Sequence, residues 1–165
     1  MHPSTSLSAV LSIAALLSAT IATACATPGA PADAGDKARS LRVDRNELVN
    51  TGGWKLASVT GAQAEALRAP GVAFEVSFTG KDVHANGGCN DLRGTYTVSG
   101  KRMAFEIAIA TRMSCSDDRN RADQAFSELM NRSFKAELLE PLPYRLRLTS
   151  DDGQVLVFEQ LPIRI

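Results

Sequence analysis

The chain has 165 residues, enough for one ordinary domain with appendages. Its 18 Lys and Arg balance 18 Asp and Glu, so the formal net charge is zero. That balance excludes a global field steering the whole chain to nucleic acid or to an anionic membrane surface.

Residues 1–24 carry no Asp, Glu, Lys or Arg and are rich in Ala, Leu and Ser. The stretch 7–17 is apolar enough for the hydrophobic region of a signal peptide and too short for a membrane span. Ala22-Thr23-Ala24 supplies the small-x-small pattern of signal-peptidase cleavage, so residues 1–24 read as a signal peptide. The amino-terminal region is atypical in having no Lys or Arg, only His2. Cys25 follows at once, and Thr23-Ala24-Cys25 resembles the end of a bacterial lipobox, whose Cys is lipidated. The large aliphatic residue usual three places before that Cys is here Ala22, with Ile21 one further back. The alternative is ordinary cleavage at Ala24 or Ala26, which leaves Cys25 free or removed.

Residues 26–45 are rich in Ala, Pro, Gly and charge, so 25–45 is expected to be a lipid-attachment site and flexible linker. The domain is expected over 46–165. Trp54–Thr60 reads as a strand, and 61–71 as a loop or short helical turn. Phe74, Val76 and Phe78 alternate with polar residues, and Val83 with Ala85 suggests the partner strand after a turn at Gly80. Next comes HANGGCNDLRGTY, residues 84–96, which holds His84, Cys89, Asn90 and Asp91 beside two glycines. Tyr96 and Val98 continue a strand, and Met103, Phe105, Ile107 and Ile109 keep period two. Ala122, Ala125, Phe126, Leu129 and Met130 then switch to helical spacing, so a helix is expected over 118–131. Ser116, Asp117 and Asp118 lie where an N-cap and first-turn acids belong. Arg119 with Asp123, and Glu128 with Arg132, are spaced as surface ion pairs. Strands resume around Phe134, Tyr144 and Val155–Gln160, with a hairpin turn at Asp151-Asp152-Gly153.

This pattern predicts an α+β fold. Seven or eight short strands form a curved, partly barrel-like antiparallel sheet, and one main helix buries its stripe on it.

The residues support little chemistry. Any Ser-His-Asp or Cys-His set must use His84, because His2 falls in the segment expected to be removed. Zinc needs three or four ligands, and one His, two oxidisable Cys and Asp91 make a poor set. No G-K-[ST] follows the glycines, and a strand stands where a phosphate-binding helix would begin. Asp82, Asp91, Asp151 and Asp152 fall in expected turns, where Asp serves the backbone. Arg119, Arg121 and Arg132 interleave with Asp117, Asp118, Asp123 and Glu128, which reads as a solvated mixed-charge face. No cofactor or metal site is expected.

Three cysteines are present, and assigning Cys25 to lipid leaves the pair Cys89 and Cys115 for an oxidising compartment. On the chain-entropy account, a bond closing that loop of about 26 residues stabilises by about 3.5 kcal/mol. The stretch 84–96 then reads as a strand–corner–strand segment. Gly87 and Gly88 permit positive φ, Asn90 and Asp91 cap the turn, and Gly94 allows close approach.

Trp54-x-Leu56, Gly88-Cys89-Asn90 with Gly94-x-Tyr96, then Thr111-Arg112-Met113-x-Cys115 and a helix containing Phe126, resemble the META domain, or HslJ-like, family. The resemblance covers roughly 47–161, with Ser114 where many members have Ala. It implies a small α+β protein of the bacterial cell envelope, often a lipoprotein, linked to heat shock and antibiotic tolerance. It brings no catalytic residues, and it maps the paired Cys positions onto Cys89 and Cys115.

The expected function is therefore a non-enzymatic exported protein, lipid-anchored in the outer membrane facing the periplasm, that acts by binding an envelope protein or small ligand. A periplasmic inhibitor-type or assembly module is one alternative. A hydrolase using His84 and Asp91 is the other.

Overall fold

Period-two alternation builds a ring of strands in the computed structural model, which describes residues 39–163. The expected signal peptide, Cys25 and the linker up to residue 38 lie outside the described residues. In chain order the elements are β1 (Ser40–Leu41), α1 (Arg45–Val49), β2 (Trp54–Thr60), α2 (Ala64–Leu67), β3 (Glu75–Thr79) and β4 (Asp82–Asn86). They continue with β5 (Asp91–Ser99), β6 (Arg102–Ala110), α3 (Asp117–Leu129), β7 (Ser133–Leu139), β8 (Arg145–Ser150) and β9 (Val155–Gln160).

The strands run β7-β6-β5-β4-β3-β2-β9-β8, all antiparallel, and β8 pairs back onto β7. The sheet is thus a closed ring, which removes most free edges. Because neighbours alternate in direction, α2 (between β2 and β3) and α3 (between β6 and β7) lie at one end. α1 precedes β2 and lies at the other.

Inward side chains fill the ring. Phe126 of α3 meets Phe74 at 4.4 Å between ring centroids, and Phe78 meets Tyr96 at 4.7 Å. Fully burying a side chain of this kind contributes about 1.5–3 kcal/mol. Trp54 is completely buried and donates its indole N–H to the Leu48 carbonyl at 3.2 Å, which ties α1 to β2. The Tyr96 hydroxyl donates to the Gly80 carbonyl at 2.9 Å, and Arg45 stands 5.8 Å over its ring. Burial pushes the Tyr96 hydroxyl above its usual pKa against the opposing pull of Arg45.

Four expectations need correction. The linker does not run to residue 45: Ser40 and Leu41 pair with Leu139 and Leu138, and Val43 is buried. The short α1 was not foreseen, although Asp44 caps it by accepting from the Asn46 amide at 2.7 Å. The helix read over 118–131 spans Asp117–Leu129, and Ser116 makes no side-chain cap bond. Its expected ion pairs do not form, because Asp123 is buried against the β4–β5 loop and Arg132 reaches Asp152 at 2.8 Å.

One irregularity shapes the outer surface. Between β5 and β6 the register slips, with Arg93 opposite Ile109 and Gly94 opposite Ile107, so Ala108 is an extra residue. A Cβ on Gly94 would lie 1.9 Å from the Glu106 carbonyl oxygen, so only glycine fits where the two backbones converge. This close approach sits inside β5, not at its start.

Candidate functional site

Two regions meet at the start of β5. The first is the corner of residues 86–91, between β4 and β5. Asn86 accepts from the Gly88 amide at 2.9 Å through its side chain, and Gly88 takes φ 86°. Gly87 is tight for another reason: a Cβ there would lie 2.2 Å from the Asp123 carboxylate. Asn90, expected as a turn cap, is a bridge. Its amide nitrogen donates to Asp123 Oδ2 at 2.6 Å and its backbone N–H to Asp123 Oδ1 at 3.1 Å. Its side-chain oxygen accepts from the Met113 amide at 2.8 Å and the Thr111 hydroxyl at 3.1 Å. The Thr111 hydroxyl in turn accepts from the Asp91 amide at 3.0 Å.

Cys89 and Cys115 are joined as a disulfide, with Cα atoms 6.2 Å apart. The bond ties the corner to the segment that enters α3, where Asn120 donates to the Cys115 carbonyl at 3.1 Å. Asp91 does not cap the turn through its carboxylate, which faces outward toward His84.

The second region is the outer face of β3–β6. Ser77, His84, Arg93 and Ile109 stand opposite one another in a single cross-strand row. Thr79, Asp82, Thr95 and Glu106 form the next row. Beside the Ala108 bulge these rows enclose a groove of about 590 Å³, lined by Ser77, Thr79, Asp82, His84, Arg93, Thr95 and Ile109. His84 Nε2 lies 3.8 Å from Asp91 Oδ1, and both side chains are half exposed. Among the described residues, the side chains of Arg93 and Asp82 have no hydrogen-bond or ion-pair partner. A second hollow of about 490 Å³ lies between α2 and α3. Three of its charged side chains are engaged: Arg121 pairs with Asp118, and Arg68 donates to the Val59 carbonyl. Among the described residues no three His, Cys, Asp or Glu side chains gather as metal ligands.

The residues singled out in the sequence therefore separate. Gly88, Cys89, Asn90, Thr111, Met113 and Cys115 converge on the corner, Gly94 and Trp54 hold the barrel, Tyr96 is core, and His84 lies on the outer face. Asp123 was missed as a corner residue because its spacing to Arg119 mimics a surface pair. Its place beside Ala122 on the apolar stripe was the available signal.

The META domain family model matches residues 46–162. The chain belongs to the META domain family. An NMR structure of a protein from Burkholderia xenovorans is similar in fold, with a TM-score of 0.52 and 18% identity over 81% of this chain and 98% of that one. No curated protein matches the chain. In this META domain the two halves of the sequence signature are joined by Asn90 and by the disulfide.

Proposed function

We propose that this META-domain protein is a non-enzymatic binding module of the cell envelope, exported by residues 1–24 and held to the outer membrane through an acylated Cys25. The observation that carries the binding reading is the outer groove, where Arg93 and Asp82 stand without partners among the described residues. Unpaired charges beside hydroxyls and one apolar wall suit an envelope protein or small ligand with complementary polar groups. Export is supported by the uncharged leader and by the disulfide, a bond that persists chiefly in oxidising compartments. Stress or antibiotic tolerance is the proposed physiological setting. No helix among the described residues is long and apolar enough to cross a membrane.

The test is photo-crosslinking in intact cells from a probe at Thr95. Discrete adducts that vanish with Arg93→Glu are expected; an adduct pattern indifferent to Arg93→Glu would overturn the groove. Cys25→Ser is expected to release the protein from membrane fractions, and unchanged fractionation would remove the anchor.

A hydrolase is the second reading, favoured by the His84–Asp91 approach at 3.8 Å with Ser77 as cross-strand neighbour. It ranks lower for two reasons. The Ser77 hydroxyl donates to the His84 backbone carbonyl at 3.5 Å, and the Cys89 thiol is consumed in the disulfide. Ester turnover abolished by His84→Ala would reverse the ranking.

A further inference from the structure

We propose that the free edge of β6 and the extended segment behind it dock onto the same segment of a second copy, antiparallel, about a twofold axis at Thr111. The proposal rests on the geometry of this edge and not on the groove reading.

β6 pairs with β7 only through Ala104. Beyond that point the end of α3 takes the edge: Phe105 N–H donates to the Arg132 carbonyl at 3.1 Å and Ile107 N–H to Asn131 Oδ1 at 2.9 Å. Every residue from 108 to 114 is exposed. The Thr111 amide turns inward to the Asp91 carbonyl at 3.0 Å and the Met113 amide to Asn90 Oδ1 at 2.8 Å. Backbone groups alternate along an extended chain, so Ala110 and Arg112 present theirs outward. Among the described residues no hydrogen bond occupies this edge.

A free edge is a pairing template unless it is guarded by Lys, Pro or an inward charge. The stretch 108–114 has no Lys and no Pro, and its only charge is Arg112. The Ala108 bulge sits at its limit, outside the pairing proposed.

The apolar pattern identifies the occupant. Ile109 and Met113 are 62% and 61% exposed, two of the four large apolar side chains exposed among the described residues. They stand two places either side of Thr111. A twofold pairing about that residue sets Ile109 of one copy opposite Met113 of the other, twice, and sets the outward-facing Ala110 opposite Arg112. Shifting the register by two residues toward β6 would bring the second strand against Asn131. The two Arg112 side chains approach diagonally, so association strengthens as salt screens them. Five paired residues bury less than about 1,200 Å², the range of weak, transient contacts, so the dimer is micromolar or weaker.

The experiment is sedimentation equilibrium on the Cys25→Ser chain, which excludes any acyl contribution, from about 10 μM to about 1 mM. A monomer–dimer equilibrium that tightens with salt is expected. Ile109→Lys and Met113→Glu should each weaken it at least about tenfold without moving the unfolding midpoint, and the double variant, which sets the new opposite charges against each other, should restore it. A monomer across the whole range would overturn the proposal, and so would a dimer unaffected by either single change or not restored by the double one.

Discussion

The corner of residues 86–91 and the outer face of β3–β6 share two strands yet obey different rules. In the corner, Asn90 engages Asp123, Met113 and Thr111 at once, and the disulfide adds a covalent tie to the entry of α3. On the outer face, the side chains of Arg93 and Asp82 have no partner among the described residues. Asp91 marks the boundary: its amide belongs to the corner network and its carboxylate to the outer face. Satisfied, mutually dependent groups hold architecture, whereas unsatisfied exposed ones are free for a partner. The signature of this META domain therefore lies mainly with the fold, and the face with unpaired charged side chains lies beside it.

The sharpest way to break this comparison is at Gly94. Gly94→Ala puts a Cβ against the Glu106 backbone oxygen, with about 3–5 kcal/mol lost in urea unfolding, or no folded protein. Replacing Cys89 and Cys115 together by Ser should lose about 3 kcal/mol, and adding a reductant to the unaltered protein should mimic it.

A smaller effect tests the hairpin at Asp151 and Asp152, whose Asp151 pairs with Arg102 at the start of β6 at 3.0 Å. The hydrogen bond and charge of Arg102 lower the Asp151 pKa, and the Ser150 hydroxyl chiefly lowers that of Asp152. Their contribution is present above the ordinary carboxylate range and fades as pH falls through the lowered values. Both groups are exposed, so Asp151→Asn should flatten the acid limb of a stability–pH profile only slightly, and less in high salt. At alkaline pH the sign reverses for Tyr96. Its raised pKa means that stability should fall as pH climbs past 10.0, and Tyr96→Phe should remove that slope.

Much of the barrel was legible because a strand advertises itself by period two. β2 and β9 have the bounds that alternation sets, and the apolar stripe of α3 marks the helix to within two residues. Elements too short to show a period were not legible: β1 has two residues and finds its partners at Leu138 and Leu139, nearly the whole domain away. Ring closure between β7 and β8 likewise depends on curvature, which a linear pattern does not record. Cys89, Cys115 and the glycines pointed to a stapled corner, but the role of Asn90 needed Asp123, a nonlocal partner. The groove needed the register. Met103 to Ile109 reads as unbroken alternation, and only the slip at Ala108 aligns Ile109 with Arg93, His84 and Ser77.

The contrast between the two regions is tested most directly by urea unfolding of Asn90→Ala beside His84→Ala in the same background. Asn90→Ala strands the buried Asp123 carboxylate and the Met113 amide, and should cost about 2–4 kcal/mol. His84→Ala should stay within about 0.5 kcal/mol of the unaltered protein. Equal losses, or a larger one at His84, would contradict the division between a structural corner and a free outer face.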